Sequence, residues 1–286
     1  MKNKDFAVFI LTYNRADRVF TDRMLKKTNY SGDVYFIVDT SDPQIDKYKK
    51  KFGDEKVIVF NKNDYKGKFD IMDNFDDDRA VVFARNAIFD IAKKLGIKYF
   101  LMLDDDYEGF YYRYDKNFKF ISKRVNNLDQ IFDIYIDFLK NTKVKSVAMA
   151  QAGDFIGGRG NDFPFQPIRL RKCMNTFFCD VDRPFKFIGR INEDVNTFVN
   201  NAKFGDIFLT IPWISVVQKP TQSNPGGLTD IYLSFGTYVK SFYTLMINPV
   251  AVKVTLMGRK FMRLHHRVNT FKTYPMIISE NYKKSG

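Results

Sequence analysis

The sequence predicts an α/β protein: a mostly parallel central sheet flanked by helices, followed by a loop-rich second half. Three observations predict it. Over residues 1–150, short and nearly continuous apolar runs alternate with helix-period patterns, as strands buried on both faces and their covering helices require. Hydrophobic residues make up 45% and charged residues 28% of the chain, a globular balance that excludes disordered, collagen-like and coiled-coil classes. The 286 residues fit one large domain or two small ones, since single cores stop growing near about 250–300 residues.

The first apolar run, Phe6–Leu11, is short and ends in polar residues, so it reads as a strand and not as a signal peptide. Val34–Val38, Val57–Phe60, Tyr99–Leu103 and Ser146–Ala150 are the further candidate strands. Ala84, Ile88, Ile91 and Leu95 recur at helical spacing, with Lys93 and Lys94 in the last turn and Gly96 as the stop, which predicts a helix from Arg79 to Leu95. Leu128, Ile131, Phe132, Tyr135 and Leu139 mark a second helix. Beyond residue 150 the Gly, Pro and Asn clusters GDFIGGRGNDFPFQP and KPTQSNPGG read as long loops, and loops of that length in a compact domain are usually functional. No window approaches the roughly 20 apolar residues that cross a bilayer.

Charge is uneven. Forty-six Lys and Arg face 33 Asp and Glu, a formal +13. Residues 1–150 hold 28 basic and 24 acidic side chains while 151–286 hold 18 and 9, so the second half carries +9 of that excess. Clustered basic residues attract polyanions, nucleic acid or acidic membrane surfaces among them. Cys173 and Cys179 are too few for a disulfide framework and lack metal-site spacing, so a reducing cytoplasm is expected.

The strongest single feature is Leu101-Met102-Leu103 ending in Asp104-Asp105-Asp106. In open α/β sheets ligands bind beyond the carboxyl ends of the strands. Carboxylates this crowded repel one another unless a cation sits among them, and hard oxygen ligands suit Mg²⁺ or Mn²⁺. Asp76-Asp77-Asp78 is equally acidic but follows no strand; it precedes a helix, where carboxylates favour the positive dipole end. Asp180-Val181-Asp182 reads as a turn between strands lining the site. Thr12-Tyr13-Asn14-Arg15 and Asp39-Thr40-Ser41 close the first two strands, and polar tips there can hydrogen-bond a base and ribose, with Arg15 or Arg18 left for phosphate. Arg85 lies inside the helix that leads to the acidic strand, where a solvated Arg is the plain alternative. Lys66, Lys68 and Arg79 read as surface charges.

Glu193-Asp194 opens a helix in an otherwise acid-poor half and reads either as helix-terminal carboxylates or as a general base. His265-His266 are the only histidines, in a stretch from Lys253 to Lys272 with six Lys or Arg and no acid. Imidazole can complete a metal site begun by carboxylates. The stretch itself, interleaved with Phe261 and Phe271, reads either as a phosphate-following segment or as a solvated amphipathic helix.

Taken in order, LTYNR, VDTSD, ARNAI, LMLDDD and NEDVN over residues 6–200 resemble a glycosyltransferase of the GT-A type. The second half, with QKPTQSNPGGLTDIY, GTYVKSFYTLM and NPVAVKV, is similar to the TET-associated glycosyltransferases of bacteriophages. The resemblance implies one continuous domain, with residues 1–150 binding a nucleotide sugar and 151–286 binding acceptor and carrying the catalytic pair. It implies Thr12, Asn14, Arg15, Asp39, Arg85, Asp104 and Asp105 at the nucleotide sugar, a UDP-sugar by expectation. Asp104 and Asp106 would hold Mn²⁺ or Mg²⁺, with His265 or His266 completing the shell, and Asp194, beside Glu193, would be the base. The implied acceptor is a hydroxymethylated pyrimidine such as 5-hydroxymethylcytosine in DNA, reached in a host cytoplasm. Three consecutive aspartates leave open whether Asp105 substitutes for a neighbour. Phe and Tyr residues near the loops at 153–165 and 219–232 are candidates to stack on the base. Rival readings are a transferase acting on a cell-surface glycan or lipid, and a non-catalytic nucleic-acid-binding protein.

Overall fold

The computed structural model describes residues 3–75, 78–155, 172–219, 239–257, 262–273, 275, 277–280 and 283. In chain order, the strands are β1 Phe6–Leu11, β2 Asp33–Asp39, β3 Val57–Phe60, β4 Tyr99–Asp104, β5 Tyr107–Tyr114, β6 Phe120–Arg124, β7 Ser146–Gln151, β8 Phe177–Asp180, β9 Phe208–Gln218, β10 Val252–Met257 and β11 Arg263–Val268. The helices that matter for the site are α1 Phe20–Lys27, α2 Ile45–Phe52, α3 Val81–Lys94, α4 Leu128–Lys140 and α5 Glu193–Asn201.

Strands β1 to β9 form one sheet in the order β3-β2-β1-β4-β8-β7-β9-β5-β6. The first four run parallel, joined through α1, α2 and α3, so their carboxyl ends share one edge. The five strands expected from the apolar runs are all present. The sheet is nonetheless mixed: β8 enters antiparallel between β4 and β7, and the β5–β6 hairpin continues the sheet antiparallel to β9. Pro212, which cannot donate to a ladder, coincides with an irregularity where β9 slips register against β7.

Alternation along β1 explains the two cores. Phe6, Val8 and Ile10 join Phe36, Leu101 and Leu103 under α1, α2 and α4, while Phe9 and Leu11 join Ile37, Phe100 and Met102 under α3. Every residue of β1 is buried, as a central parallel strand requires. The second face continues into Val195, Phe198 and Val199 of α5, which is how the second half of the chain is locked to the first. Among the described residues no helix is long and apolar enough to cross a membrane.

Two expectations are corrected here. Because β8 runs antiparallel to β4, Asp180 pairs with Tyr99 at the start of β4, so the Asp180–Asp182 turn lies at the edge opposite Asp104. It is held there by Lys98 and Arg183. The basic C-terminal stretch is an antiparallel hairpin, β10–β11, instead of an amphipathic helix. Of the acidic run before α3, Asp76 and Asp77 lie outside the described residues, and Asp78 pairs with Lys66. Of the loops at 153–165 and 219–232, all but residues 153–155 and 219 also lie outside them, and Phe155 is buried against Tyr114 and Phe120.

Candidate active site

The carboxyl edge of the parallel strands carries Thr12 after β1, Asp39 at the end of β2 and Asp104 at the end of β4; Leu11 is paired directly with Asp104. The acidic turn is anchored from behind by α1. Backbone N–H groups of Phe20 and Thr21 donate to the Asp105 carbonyl at 2.8 and 3.2 Å. Thr21 Oγ1 donates to the Asp104 carbonyl and accepts from the Tyr107 N–H at 3.0 Å.

The three aspartates then part company. Asp105 is buried and turned inward, its Oδ2 accepting from Thr12 Oγ1 at 2.8 Å and its Oδ1 from Arg15 Nη1 at 3.0 Å. Asp105, expected at the sugar nucleotide, thus has both carboxylate oxygens engaged within the chain, one of them by Arg15. Tyr48 of α2 completes the group, bonded to Thr12 Oγ1 and accepting from the Arg15 N–H, both at 2.8 Å.

Asp104 keeps 30% of its side chain exposed and gives only Oδ1 to Arg85. Asp106 is half-buried and receives no hydrogen bond from any side chain among the described residues. Burial, then the charges of Asp104 and Asp105, push its carboxyl up to about 7. A crowded pair of hard oxygen donors with so little cationic compensation suits a divalent ion. Among the described residues no three His, Cys, Asp or Glu side chains converge into a complete ligand set. Two carboxylates fit the habit of Mg²⁺, which takes one or two protein carboxylates and fills its remaining positions from waters and substrate phosphates.

Arg85 is not solvated. Its guanidinium is fully buried between the rings of Phe177 and Phe187, each 5.6 Å away. Nη2 donates to Asp104 Oδ1 at 2.9 Å and Nε to Glu193 Oε1 at 2.8 Å. Burial alone would lower its pKa, but Asp104, Glu193 and Asp194 raise it. Burial conversely raises the Glu193 carboxyl, against the pull of Arg85. Nη1 of Arg85 is buried with no hydrogen-bond partner among the described residues.

Asp194 sits one residue into α5. Its Oδ1 accepts from the Val195 N–H at 2.7 Å, and its Oδ2 from the Asn175 N–H at 3.3 Å. The loop before α5 is clamped by a buried ion pair: Arg190 donates twice to Asp73, at 2.8 and 2.9 Å, and Tyr243 donates to the same carboxylate. Asn192, at φ 58° in the left-handed region, precedes the first residue of α5. Its Nδ2 donates to the Lys240 carbonyl at 2.8 Å and lies 3.3 Å from His266 Nδ1.

The histidines are therefore placed beside the loop that leads into α5, and among the described residues no metal-ligand group of three or more gathers them with Asp104 and Asp106. The β10–β11 hairpin sets His266 against Asn192, and His265 stacks on it with ring centroids 4.6 Å apart. Burial, with Lys172, His265 and Lys240, pushes the His266 imidazole down to about 2, so it is neutral. Asn14, at φ 54°, holds Gln44 through Oδ1 at 2.7 Å. Asp39 is committed to its own turn, accepting from the N–H groups of Ser41 and Lys62 at 2.8 and 3.1 Å.

Residues not singled out from the sequence complete the site: Tyr48, Tyr107, Asn175, Asn192 and Lys172, whose ammonium burial pushes down to about 8 near Asp194. Asn175 and Asn192 hold positive φ, at 63° and 58°, and no sequence pattern announces it.

A parallel βαβ half ending in an acidic strand tip, faced by a carboxylate pair on a separate helix, defines the class: a glycosyltransferase of the GT-A type. The chain belongs to the TET-associated glycosyltransferase family, whose model matches residues 6–227. Among solved structures it is similar to glucosyl-3-phosphoglycerate synthase from Mycobacterium tuberculosis in complex with Mg²⁺ and UDP, at 9% identity and a TM-score of 0.45, covering 92% of this chain and 87% of that one. It is also similar to residues 1–349 of S. aureus TarS, at 12% identity and a TM-score of 0.42, covering 73% and 59% of the two chains. No curated protein matches it significantly.

Proposed function

We propose that this glycosyltransferase moves a sugar from a nucleotide sugar, UDP-glucose or a close relative, to a hydroxymethylated pyrimidine base in DNA. The observation that carries the reading is the Arg85 bridge. It joins the acidic tip of β4 to the Glu193–Asp194 pair in one site, so leaving-group and acceptor chemistry fall side by side.

The nucleotide would lie along the tips of β1 and β2, against Thr12, Asn14 and Asp39, with Arg15 and Asp105 fixing that edge from below. Asp104 and Asp106 would hold Mn²⁺ or Mg²⁺, which when bound supplies countercharge for a departing diphosphate. Asp194 accepts the proton of the acceptor hydroxyl as its oxygen forms a bond to the sugar's anomeric carbon. The bond from that carbon to the diphosphate oxygen breaks, and the nucleoside diphosphate leaves with the electron pair. Arg85 holds Asp104 and Glu193 at fixed separation, and with them the acidic tip of β4 and the helix that carries Asp194.

Support for DNA as acceptor comes from charge and family. The second half carries +9 of the net +13, and neutralising phosphates gives affinity without reading sequence. A base hydroxymethyl group is hidden by duplex stacking, so the base would leave the stack to reach Asp194.

The test is turnover with several UDP-sugars and Mn²⁺ on plain DNA, on hydroxymethylcytosine-containing DNA and on a glycan acceptor. Transfer to the modified DNA alone is expected. Transfer only to glycan would overturn the acceptor, and DNA binding without transfer to any acceptor would overturn the activity.

A further inference from the structure

We infer that three amide side chains, Gln151, Asn175 and Gln218, form the surface that reads the acceptor base, an assignment that rests on the DNA-base acceptor proposed above. Gln151 ends β7, Gln218 ends β9, and Asn175 lies just before β8. β7 and β9 are neighbours in the sheet, so residues far apart in sequence meet at one point. Asn175 Nδ2 donates to Gln151 Oε1 at 2.9 Å and to Gln218 Oε1 at 2.7 Å.

Asn175 is fixed on every side. It holds φ 63°, its N–H donates to Asp194 Oδ2 at 3.3 Å, and its carbonyl accepts from the buried Tyr107 hydroxyl at 3.0 Å. The amide cluster is therefore bonded directly to the carboxylate that takes the acceptor proton. Its position also separates it from the nucleotide. In the strand order it lies on the β8-β7-β9 side of Asp104, whereas Thr12 and Asp39 lie on the β1-β2 side.

Hydrogen-bond accounting leaves specific groups available. Both N–H donors of Asn175 are used, and the Gln151 amide nitrogen reaches the Met174 carbonyl at 3.4 Å. The side-chain Oδ1 of Asn175 and the Nε2 of Gln218 have no partner among the described residues. One acceptor and one donor thus stand, without a formal charge, in a cluster whose Asn175 backbone is bonded to Asp194. That is the complement of a neutral pyrimidine edge, where a donor and an acceptor lie side by side. Cytosine and uracil present these groups in opposite order, and a site whose donors and acceptors are fixed discriminates between them.

The experiment uses the full chain and measures kcat/KM for transfer to DNA containing 5-hydroxymethylcytosine and to DNA containing 5-hydroxymethyluracil. Wild type is compared with Gln218→Glu, which turns the free donor into an acceptor, and with Gln218→Leu, which removes it. The ratio of the two kcat/KM values should move by about tenfold or more in Gln218→Glu, and towards unity in Gln218→Leu. A structural role would lower both rates together and leave the ratio unmoved, which would overturn the assignment. So would a change in discrimination between UDP-glucose and UDP-galactose with the base ratio intact, since the amides would then face the sugar. If Gln218→Glu does not fold, Gln218→Leu alone decides by the same ratio. Wild-type transfer to neither DNA would remove the acceptor reading and this assignment with it, whereas wild-type transfer with an invariant ratio would remove this assignment alone.

Discussion

Arg85 donates from Nε to Glu193 Oε1 at 2.8 Å, a buried contact that ties α3 to α5 across 108 residues of sequence. The same guanidinium reaches Asp104 on β4, and only its planar fork can serve two carboxylates in different directions. Arg85→Lys should keep one of the two contacts and lose the geometry of the other, cutting transfer about 100-fold through misplacement. Arg85→Met should also cost about 3–5 kcal/mol of stability, because it leaves Glu193 buried without a counterion. Steady-state rates and denaturant unfolding of the two variants check this. Full activity in Arg85→Lys would show that the bridge does not position the site.

The two outer aspartates and the central one should separate cleanly. Asp105 is spent on Thr12 and Arg15, so Asp105→Asn should destabilise the fold, by about 1–3 kcal/mol. Asp106 carries a carboxyl raised to about 7 by burial and by its acidic neighbours. Removing that charge should leave the melting temperature in EDTA equal or higher, yet weaken Mn²⁺ binding at least about tenfold, since a carboxylate ligand is lost. Calorimetric Mn²⁺ titration and thermal melts of both variants give the comparison. Equal metal affinity in Asp106→Asn would remove it from the ligand set.

These contrasts also mark what the sequence could reveal. The apolar runs at Phe6, Val34, Val57, Tyr99 and Ser146 announced their strands because burial on both faces leaves an unbroken hydrophobic signature. The edge hairpin β5–β6 did not, since its residues alternate between core and solvent and are mostly aromatic or charged. Strand direction was equally hidden: nothing in Phe177–Asp180 says that it runs antiparallel, and that direction alone carries Asp180 away from the site. The acidic tip and the Glu193–Asp194 pair were legible as carboxylates where a globular chain seldom concentrates them. That Arg85 joins them, and that Asn175 and Asn192 brace them, are facts of long-range packing with no local trace.

Buried His266 should make the metal-free chain acid-sensitive. Its imidazole is neutral when folded, with the pKa pushed down to about 2 by burial and by Lys172, His265 and Lys240, against about 6.5 when unfolded. Below about 6.5 the unfolded chain binds a proton that the folded chain refuses, so stability falls with pH in that window, by up to about 1.4 kcal/mol per pH unit. Relative to wild type, His266→Gln should flatten the loss between pH 6.5 and 5 when unfolding is followed in EDTA. Parallel curves would place the acid sensitivity elsewhere.

Asp194 offers the sharpest division between binding and chemistry. Its Oδ1 accepts from the Val195 N–H at the start of its own helix and its Oδ2 from the Asn175 N–H; an asparagine oxygen can keep one of these two bonds. Asp194→Asn therefore keeps the size of the side chain and one of its two bonds while removing the group that accepts a proton. Transfer should fall by about 10²–10⁴-fold, the usual contribution of a positioned base. UDP binding should persist, because the nucleotide would lie on the β1–β2 side of Asp104, away from α5. Transfer rates paired with UDP affinity by calorimetry decide the matter: retained transfer would take the base role from Asp194, and joint loss of transfer and UDP binding would make it a structural residue.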